Sequence, residues 1–222
     1  MAIVEVWDFQ VKRGDAKRMV ALQQQAAAEY RLPPGTPTHL RYEAYAPSDT
    51  RFVQVIEWES YTAMSQWYAA FATDRVGVEF WRNWHKIKAV SRGAEYWNVL
   101  PTPAGWSAKK AGMGGIVEVH DWQVKVGDTQ KIVALLADTL SKLHPPSETP
   151  EPLSLRGYGA AWTRVVAMMQ WGSLADMEQW YAAFSADPAG KEYWAKLPEL
   201  IVADHGGGIW DVLEMPTESQ EC

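Results

Sequence analysis

The segment QWYAAFATD at Gln66–Asp74 recurs as QWYAAFSAD at Gln179–Asp187, an offset of 113 residues (179 − 66). The same offset aligns IVEVWDFQVKRGD at Ile3–Asp15 with IVEVHDWQVKVGD at Ile116–Asp128, and no gap is needed between the two matches. The chain therefore carries an internal duplication, which is the first feature to look for in a sequence. Because two copies are too few for a solenoid, each copy is predicted to form a domain of about 100 residues.

The extent of the match sets the domain boundaries. We predict a first domain at 1–103, a linker at 104–115, a second domain at 116–216 and a C-terminal tail at 217–222. The connecting sequence PTPAGWSAKKAGMGG is rich in Pro, Gly and Lys, which is typical of an exposed linker.

Each copy predicts the order strand, helix, strand, strand, helix, strand. Apolar residues alternate over Ile3–Val11, which is strand periodicity. The next two strands are predicted at His39–Ala46 and Arg51–Trp58, and the last at Glu95–Leu100. In the second copy, an apolar stripe with helical spacing predicts a helix after the first strand; it consists of Ile132, Val133, Leu136, Leu140 and Leu143.

Short polar residues predict where the helices begin. Asp15 and Asp128 offer N-cap carboxylates for the first helix of each copy, and Ser60 and Ser173 offer N-cap hydroxyls for the second. In the second copy, Asp187 followed by proline predicts the start of a further short helix.

The order βαββαβ is that of the ferredoxin-like split βαβ unit. Its helices cover one face of the sheet, so the other face needs a partner. Two such sheets packed face to face would cover each other. The predicted fold is therefore α+β: two tandem ferredoxin-like βαββαβ domains forming a single-chain pseudo-dimeric α+β barrel.

Composition narrows the classes of partner and compartment. The net charge is −6, no Lys/Arg run is present, and no segment reaches the roughly 18 apolar residues of a membrane span. We therefore expect neither nucleic acid nor membrane as a partner. The N-terminus lacks a signal-peptide pattern, and the single cysteine, Cys222, allows no intrachain disulfide, so a cytoplasmic location is predicted. No metal-ligand spacing, phosphate loop or GxSxG motif occurs.

Three motifs resemble those of the dimeric α+β barrel superfamily, which includes antibiotic-biosynthesis-monooxygenase-like, NIPSNAP-like and polyketide-cyclase-like domains. They are VEVWDFQVKRG (VEVHDWQVKVG), VIEWES (MMQWGS) and WYAAFATDRVGVEFW (WYAAFSADPAGKEYW). The resemblance covers both copies and implies a pocket between each sheet and its own helices. Members include cofactor-free oxygenases, haem-degrading enzymes, cyclases and dehydratases, so the resemblance implies a fold more than an activity.

The resemblance also implies a position for an active-site residue on the first strand. In the haem-degrading members, the polar residue of that strand stands seven positions before the strand-ending glycine. Counting back from Gly127 gives His120, and counting back from Gly14 gives Trp7. Trp194 falls where those members carry their axial histidine, and tryptophan cannot ligate haem iron. Haem is therefore disfavoured, and no tightly bound cofactor is expected.

Side chains alternate along a strand, so Glu118, His120 and Trp122 are predicted to share the pocket face. We predict His120 as a general base or acid and Glu118 as the residue that orients it. Tyr158 and Arg164 are candidates for binding or polarising a substrate oxygen. A structural role in the fold is the alternative for each of them.

Thirteen tryptophans are the compositional outlier of the sequence. Those present in both copies are interpreted first as core residues, and their aromatic area would also suit a ligand wall. The predicted substrate-binding residues are Trp122, Trp180, Phe184, Trp194 and His205, although His205 could equally be a loop residue.

The predicted function is that of a small-molecule enzyme without a tightly bound cofactor. It would act on a hydrophobic, aromatic or polycyclic substrate by oxygenation, cyclisation or related proton transfer, as a cofactor-independent monooxygenase or a cyclase or isomerase. The alternatives are a non-catalytic carrier of an aromatic ligand and a structural interaction module. The exchange of Trp7 for His120 predicts that the second copy carries the activity. Homo-oligomerisation beyond the pseudo-dimer stays open.

Overall fold

The fold was established from a computed structural model that describes residues 2–101, 115–160 and 163–213. The predicted linker, apart from Gly115, and the predicted tail lie outside the described residues. The chain divides into two compact units: unit 1 holds Met1–Tyr96 and Leu213–Cys222, and unit 2 holds Trp97–Val212. The end of each repeat's last strand therefore belongs to the unit built mainly from the other repeat.

Unit 1 has the predicted order of elements, with the second helix divided in two. Its strands are β1 (Ile3–Val11), β2 (Arg41–Ser48), β3 (Arg51–Trp58) and the part of β4 (Lys88–Val99) up to Tyr96. Its helices are α1 (Ala16–Glu29), α2 (Tyr61–Thr73) and α3 (Arg75–Ile87). Strand β3 lies between β1 and β2 and is antiparallel to both.

Unit 2 repeats this arrangement. Its strands are β5 (Ile116–Val124), β6 (Ser154–Ala160), β7 (Arg164–Trp171) and the part of β8 (Ile201–Leu213) up to Val212. Its helices are α4 (Thr129–Lys142), α5 (Leu174–Ala186) and α6 (Pro188–Leu200). The antiparallel order is β8-β5-β7-β6, and the end of β4 pairs with β6 through Asn98 and Val99. The fold class, α+β with tandem ferredoxin-like units, is as predicted.

The predicted helix starts were mostly confirmed. The Ser60 hydroxyl accepts a hydrogen bond from the Ala63 backbone N–H, and the Ser173 hydroxyl accepts one from Asp176 in the same way. Asp187 caps α6, with proline in the first turn. Asp15 and Asp128 stand at the predicted N-cap positions of the first helices, but their side chains form no capping hydrogen bond. Their carboxylates instead pair with basic residues one turn along, at 2.8 Å and 2.7 Å.

A close approach between consecutive helices explains one of the glycines found in both copies. A Cβ at Gly77 would lie 1.7 Å from the carbonyl oxygen of Phe71, and a Cβ at Gly190 would lie 1.8 Å from that of Phe184. Only glycine permits this contact. The preceding turn is closed by Asp74, whose Oδ1 accepts a bond from the Val76 N–H at 2.7 Å.

The helices pack on one face of each sheet, and the buried residues between these layers form the cores. In unit 1 this core is largely aromatic, with Phe9 stacked on Phe52 at 5.1 Å and contacting Trp84 at 4.5 Å between ring centroids. In unit 2 the corresponding layer is more aliphatic, with Val124, Ile132 and Val165 among its buried members. None of the described helices combines the length and apolarity needed to cross a bilayer.

Candidate active site

A cleft opens in unit 2 between the sheet and its helices. The space at the cleft, including open solvent at its mouth, is about 810 Å³, and the part that can hold the centre of a water molecule is about 70 Å³. Aromatic and aliphatic side chains provide most of its wall, which is the usual appearance of a small-molecule site. The lining residues used below are Leu100, His120, Trp122, Trp180, Tyr181 and Trp194.

The alternation of side chains along β5 directs His120, a polar residue, into the cleft. On β5, His120 and Trp122 point to the helices, and their partners on β7 are Ala167 and Val165. These partners are small, so the sheet leaves free space beside the imidazole. The ring of His120 stacks on that of Trp122, with centroids 5.0 Å apart and an interplanar angle of 21°.

His120 belongs to a hydrogen-bonded group of three side chains. Its Nε2 lies 3.0 Å from Glu118 Oε1, and the Tyr181 hydroxyl donates to Glu118 Oε2 at 2.9 Å. The same hydroxyl lies 3.5 Å from His120 Nε2. Burial, followed by the nearby Glu118 carboxyl, raises the pKa of Tyr181 well above its ordinary range, so the phenol stays protonated and acts as a donor.

Sequence reasoning missed Tyr181, although the duplicated phrase contained a signal for it. Tyr181 and its counterpart Tyr68 both lie in QWYAAF, and residues found in both copies were interpreted as scaffold. In both units, this tyrosine bonds to the glutamate of the first strand. A residue found in both copies can therefore belong to a site in one of them.

The predicted aromatic residues do reach the cleft. Trp122, Trp180 and Phe184 are buried members of its wall. Trp194 is 38% exposed at the cleft and contacts Phe184 with ring centroids 5.8 Å apart. Together with Tyr181 they form a wall of flat rings, a surface suited to a planar apolar ligand.

Three other predicted site residues lie away from the cleft: Tyr158, Arg164 and His205. Tyr158 pairs with Val166, whose neighbours Val165 and Ala167 face the cleft, so alternation turns Tyr158 to the opposite face. Arg164 lies on that opposite face too and forms a two-pronged bond with Asp121, at 2.8 Å and 2.6 Å.

The equivalent pair in unit 1 supports a structural explanation for Arg164. Arg51 donates two hydrogen bonds to Asp8 with the same geometry, from Nε to Oδ1 at 3.1 Å and from Nη2 to Oδ2 at 2.9 Å. The third of these residues, His205, is exposed on β8 and does not line the cleft.

In unit 1 the position equivalent to the cleft is occupied by side chains. The counterpart of His120 is Trp7, which packs against the aromatic core. The counterpart of Glu118 is Glu5, only 1% exposed, which accepts bonds from Trp58 Nε1 at 3.2 Å and from the Tyr68 hydroxyl at 2.8 Å. Burial raises the pKa of Glu5, and the bonds from Tyr68, Trp58 and Trp7 oppose that rise without cancelling it.

The residues of the cleft do not fit haem. Trp194 offers no ligand to iron, and His120, the one histidine among the described residues of the lining, has its Nε2 directed at Glu118. His85 follows Trp81, the unit 1 counterpart of Trp194, by four residues, but it is exposed on α3 and does not line the cleft. Among the described residues, no group of three His, Cys, Asp or Glu side chains is arranged to hold a metal ion.

Comparisons with known proteins agree on the fold. No family profile matches the sequence, and no curated protein is significantly similar to it. A Fusobacterium nucleatum protein provisionally described as a monooxygenase superposes with a TM-score of 0.69 at 11% identity, over 96% of this chain and 93% of its own. A Lactobacillus acidophilus protein of the same description superposes with a TM-score of 0.67 at 9% identity, over 98% of this chain and 96% of its own.

An anthrone oxidase-like protein also matches, with a TM-score of 0.63 at 13% identity, over 100% of this chain and 95% of its own. At such identities the likeness shows the fold alone. It confirms the predicted resemblance at that level: the chain shares the fold of these proteins and is built from tandem ferredoxin-like units.

Proposed function

We propose that unit 2 is a small-molecule enzyme that removes a proton from an apolar aromatic substrate, with His120 as the base. The observation that carries this proposal is the bond between His120 Nε2 and Glu118 at the wall of a largely apolar cleft. An imidazole in such a place can accept a proton near neutral pH.

The hydrogen bonds select the nitrogen that reacts. A carboxylate accepts hydrogen bonds, so the nitrogen that faces Glu118 is the one that carries the proton, Nε2. The lone pair is then on Nδ1. When Nδ1 takes a proton from the substrate, the ring becomes positively charged, and the Glu118 carboxylate at 3.0 Å stabilises that charge. Tyr181 holds the other oxygen of Glu118 in place.

The aromatic wall supports the proposed class of substrate. Trp122, Trp180 and Trp194 offer flat faces to a planar ring system. Once the proton has moved to Nδ1, the bonding electron pair stays on the substrate. The resulting carbanion or phenolate is delocalised over the aromatic rings of the substrate itself.

In oxygenation, the carbanion adds dioxygen to form a peroxide anion, and His120 returns the proton to it. The hydroperoxide then loses water and leaves a carbonyl, so one oxygen atom of dioxygen enters the product and the other enters water. In ring closure, the anion instead forms a bond to an electrophilic carbon of the same substrate. The monooxygenase and anthrone oxidase-like descriptions of the similar structures favour oxygenation. The absence of a tightly bound cofactor is part of the proposal.

The test separates binding from turnover. The purified protein would be mixed with 1-naphthol, anthrone and related polycyclic phenols, and dioxygen uptake and ligand binding would be measured separately. In His120→Ala we expect uptake to fall by about 10²- to 10⁴-fold, the usual contribution of a general base, with the Kd little changed.

The matched control is His85→Ala, because His85 is exposed on a helix of the other unit. It should leave both measurements unchanged. Binding without any dioxygen uptake or product would contradict the enzyme and support a carrier of aromatic ligands. Equal turnover in His120→Ala and the unaltered protein would exclude His120 as the base.

A further inference from the structure

We propose that Leu100 is a specificity-determining residue, which sets the largest ring system that the unit 2 cleft accepts. The proposal rests on the function proposed above for that cleft and concerns the size of its ligand. The residue is distant in sequence from the rest of the wall, because it closes the first repeat and precedes the second.

Backbone contacts fix Leu100 beside strand β6. Its N–H donates to the Gly157 carbonyl at 2.8 Å, next to the β4–β6 pair formed by Asn98 and Gly159. The side chain is 7% exposed and lines the cleft together with Pro101. Leu100 is therefore a fixed part of the wall.

Two glycines make room for this side chain. A methyl group at Gly157 would lie 3.3 Å from Leu100 Cβ, and one at Gly159 would lie 3.4 Å from Leu100 Cδ2. The first distance is tighter than ordinary contact, so a side chain at 157 would push Leu100 away from β6. The counterparts in the first repeat, Ala44 and Ala46, do carry a Cβ.

The depth of the cleft thus depends on how close Leu100 lies to β6. Shortening Leu100 adds space at that wall, whereas a methyl group at Gly157, itself a lining residue, takes up space beside the leucine. These changes leave the bonds of His120 untouched, since none of them involves Leu100 or β6. Size selection and catalysis can therefore be altered separately.

The experiment measures binding alone, by calorimetric titration with 2-naphthol, which has two rings, and 1-hydroxypyrene, which has four. The quantity followed is the ratio of the two dissociation constants. We expect Leu100→Ala to shift it about tenfold towards the larger probe, the usual effect of small changes in an apolar pocket. Leu100→Phe and Gly157→Ala should shift it about tenfold towards the smaller one.

The matched control is Leu213→Ala, because Leu213 ends the second repeat as Leu100 ends the first and packs against the core of unit 1. Its ratio should equal that of the unaltered protein. If both probes bind but all variants keep the same ratio, Leu100 does not select size and the proposed function still stands. If neither probe binds the unaltered protein, both proposals are overturned.

Discussion

The two units place the same pair of residues at the same site and surround it differently. In unit 1, Tyr68 donates to Glu5 at 2.8 Å; in unit 2, Tyr181 donates to Glu118 at 2.9 Å. In unit 1 the remaining partners are indoles beside a largely aromatic core, whereas in unit 2 the partner is an imidazole beside a cleft. The carboxyl–tyrosine pair is therefore common to both copies, and the third partner distinguishes them.

Smaller side chains around the imidazole account for the open space in unit 2. Phe52 and Trp84 of unit 1 correspond to Val165 and Leu197 of unit 2, so two rings are replaced by aliphatic side chains. Because each buried aromatic ring occupies 150–250 Å² of contact surface, their loss opens a cavity. Duplication permits this division, since one copy can keep a filled core while the other accommodates a ligand.

The largest effect is expected when unit 2 receives the residue that unit 1 has at this position, a tryptophan. His120→Trp removes the proposed base and fills the space beside Trp122, so we expect turnover to fall by about 10²- to 10⁴-fold and ligand binding to weaken. The strand tolerates the change, because Trp7 occupies the same position of β1. Dioxygen uptake and calorimetric binding provide the two measurements.

The reciprocal change is the control for this prediction. Trp7→His should create no binding site in unit 1, because Phe52 and Trp84 still fill the core there. Retention of full turnover in His120→Trp would show that the difference between the units has no part in the activity.

A second prediction uses the paired tryptophans behind the two carboxyl groups. Trp58 Nε1 donates to Glu5 at 3.2 Å, whereas the Nε1 of Trp171 is buried with no hydrogen-bond partner among the described residues. Replacing either indole by phenylalanine costs packing, but only Trp58→Phe deprives a buried carboxyl of a donor. We expect Trp58→Phe to lower the free energy of unfolding by about 1–3 kcal/mol more than Trp171→Phe.

Urea unfolding of the two variants, side by side, measures this difference. Both indoles are fully buried, so the packing loss is matched. Equal destabilisation would mean that the bond to Glu5 contributes nothing, and that the two carboxyl sites are energetically alike.

Much of the fold could be predicted from the sequence, because the duplication doubles every local signal. The strands, the serine caps and the Asp187-proline start were each supported by two copies or by a specific residue type. Element ends were less accurate: β4 begins at Lys88, well before the predicted Glu95, and β2 begins at Arg41. Asp15 was expected to cap a helix, but pairs with Arg18.

The site was predictable along one strand and not between strands. Alternation on β5 indicates that His120 and Trp122 share a face, and both line the cleft. The face on which Arg164 lies depends on the register of β7 against β5, which pairs Arg164 with Gln123, and a single sequence does not determine that register. The roles proposed for His120 and Glu118 stay predictions until the variants are measured.

The third prediction concerns pH and applies to the carboxyl of unit 1. Burial raises the pKa of Glu5 above its ordinary 4.5, so the folded protein holds this proton more tightly than the unfolded chain does. The stabilisation is complete below pH 4.5 and is lost as pH rises through the raised value. Glu5→Gln removes the titration, so its free energy of unfolding should fall less than that of the unaltered protein as pH rises through this range.

Chemical unfolding at a series of pH values checks this expectation, with Glu59→Gln as the control because Glu59 is exposed at the end of β3. The quantity compared is the slope of the free energy of unfolding against pH. The absolute free energy is not compared, because the glutamine also alters the bonds from Tyr68 and Trp58. If Glu5→Gln and the unaltered protein followed parallel curves, the carboxyl would be charged in the folded protein. The closed site of unit 1 would then hold a buried carboxylate supported by its three donors, and burial would not be the dominant influence on it.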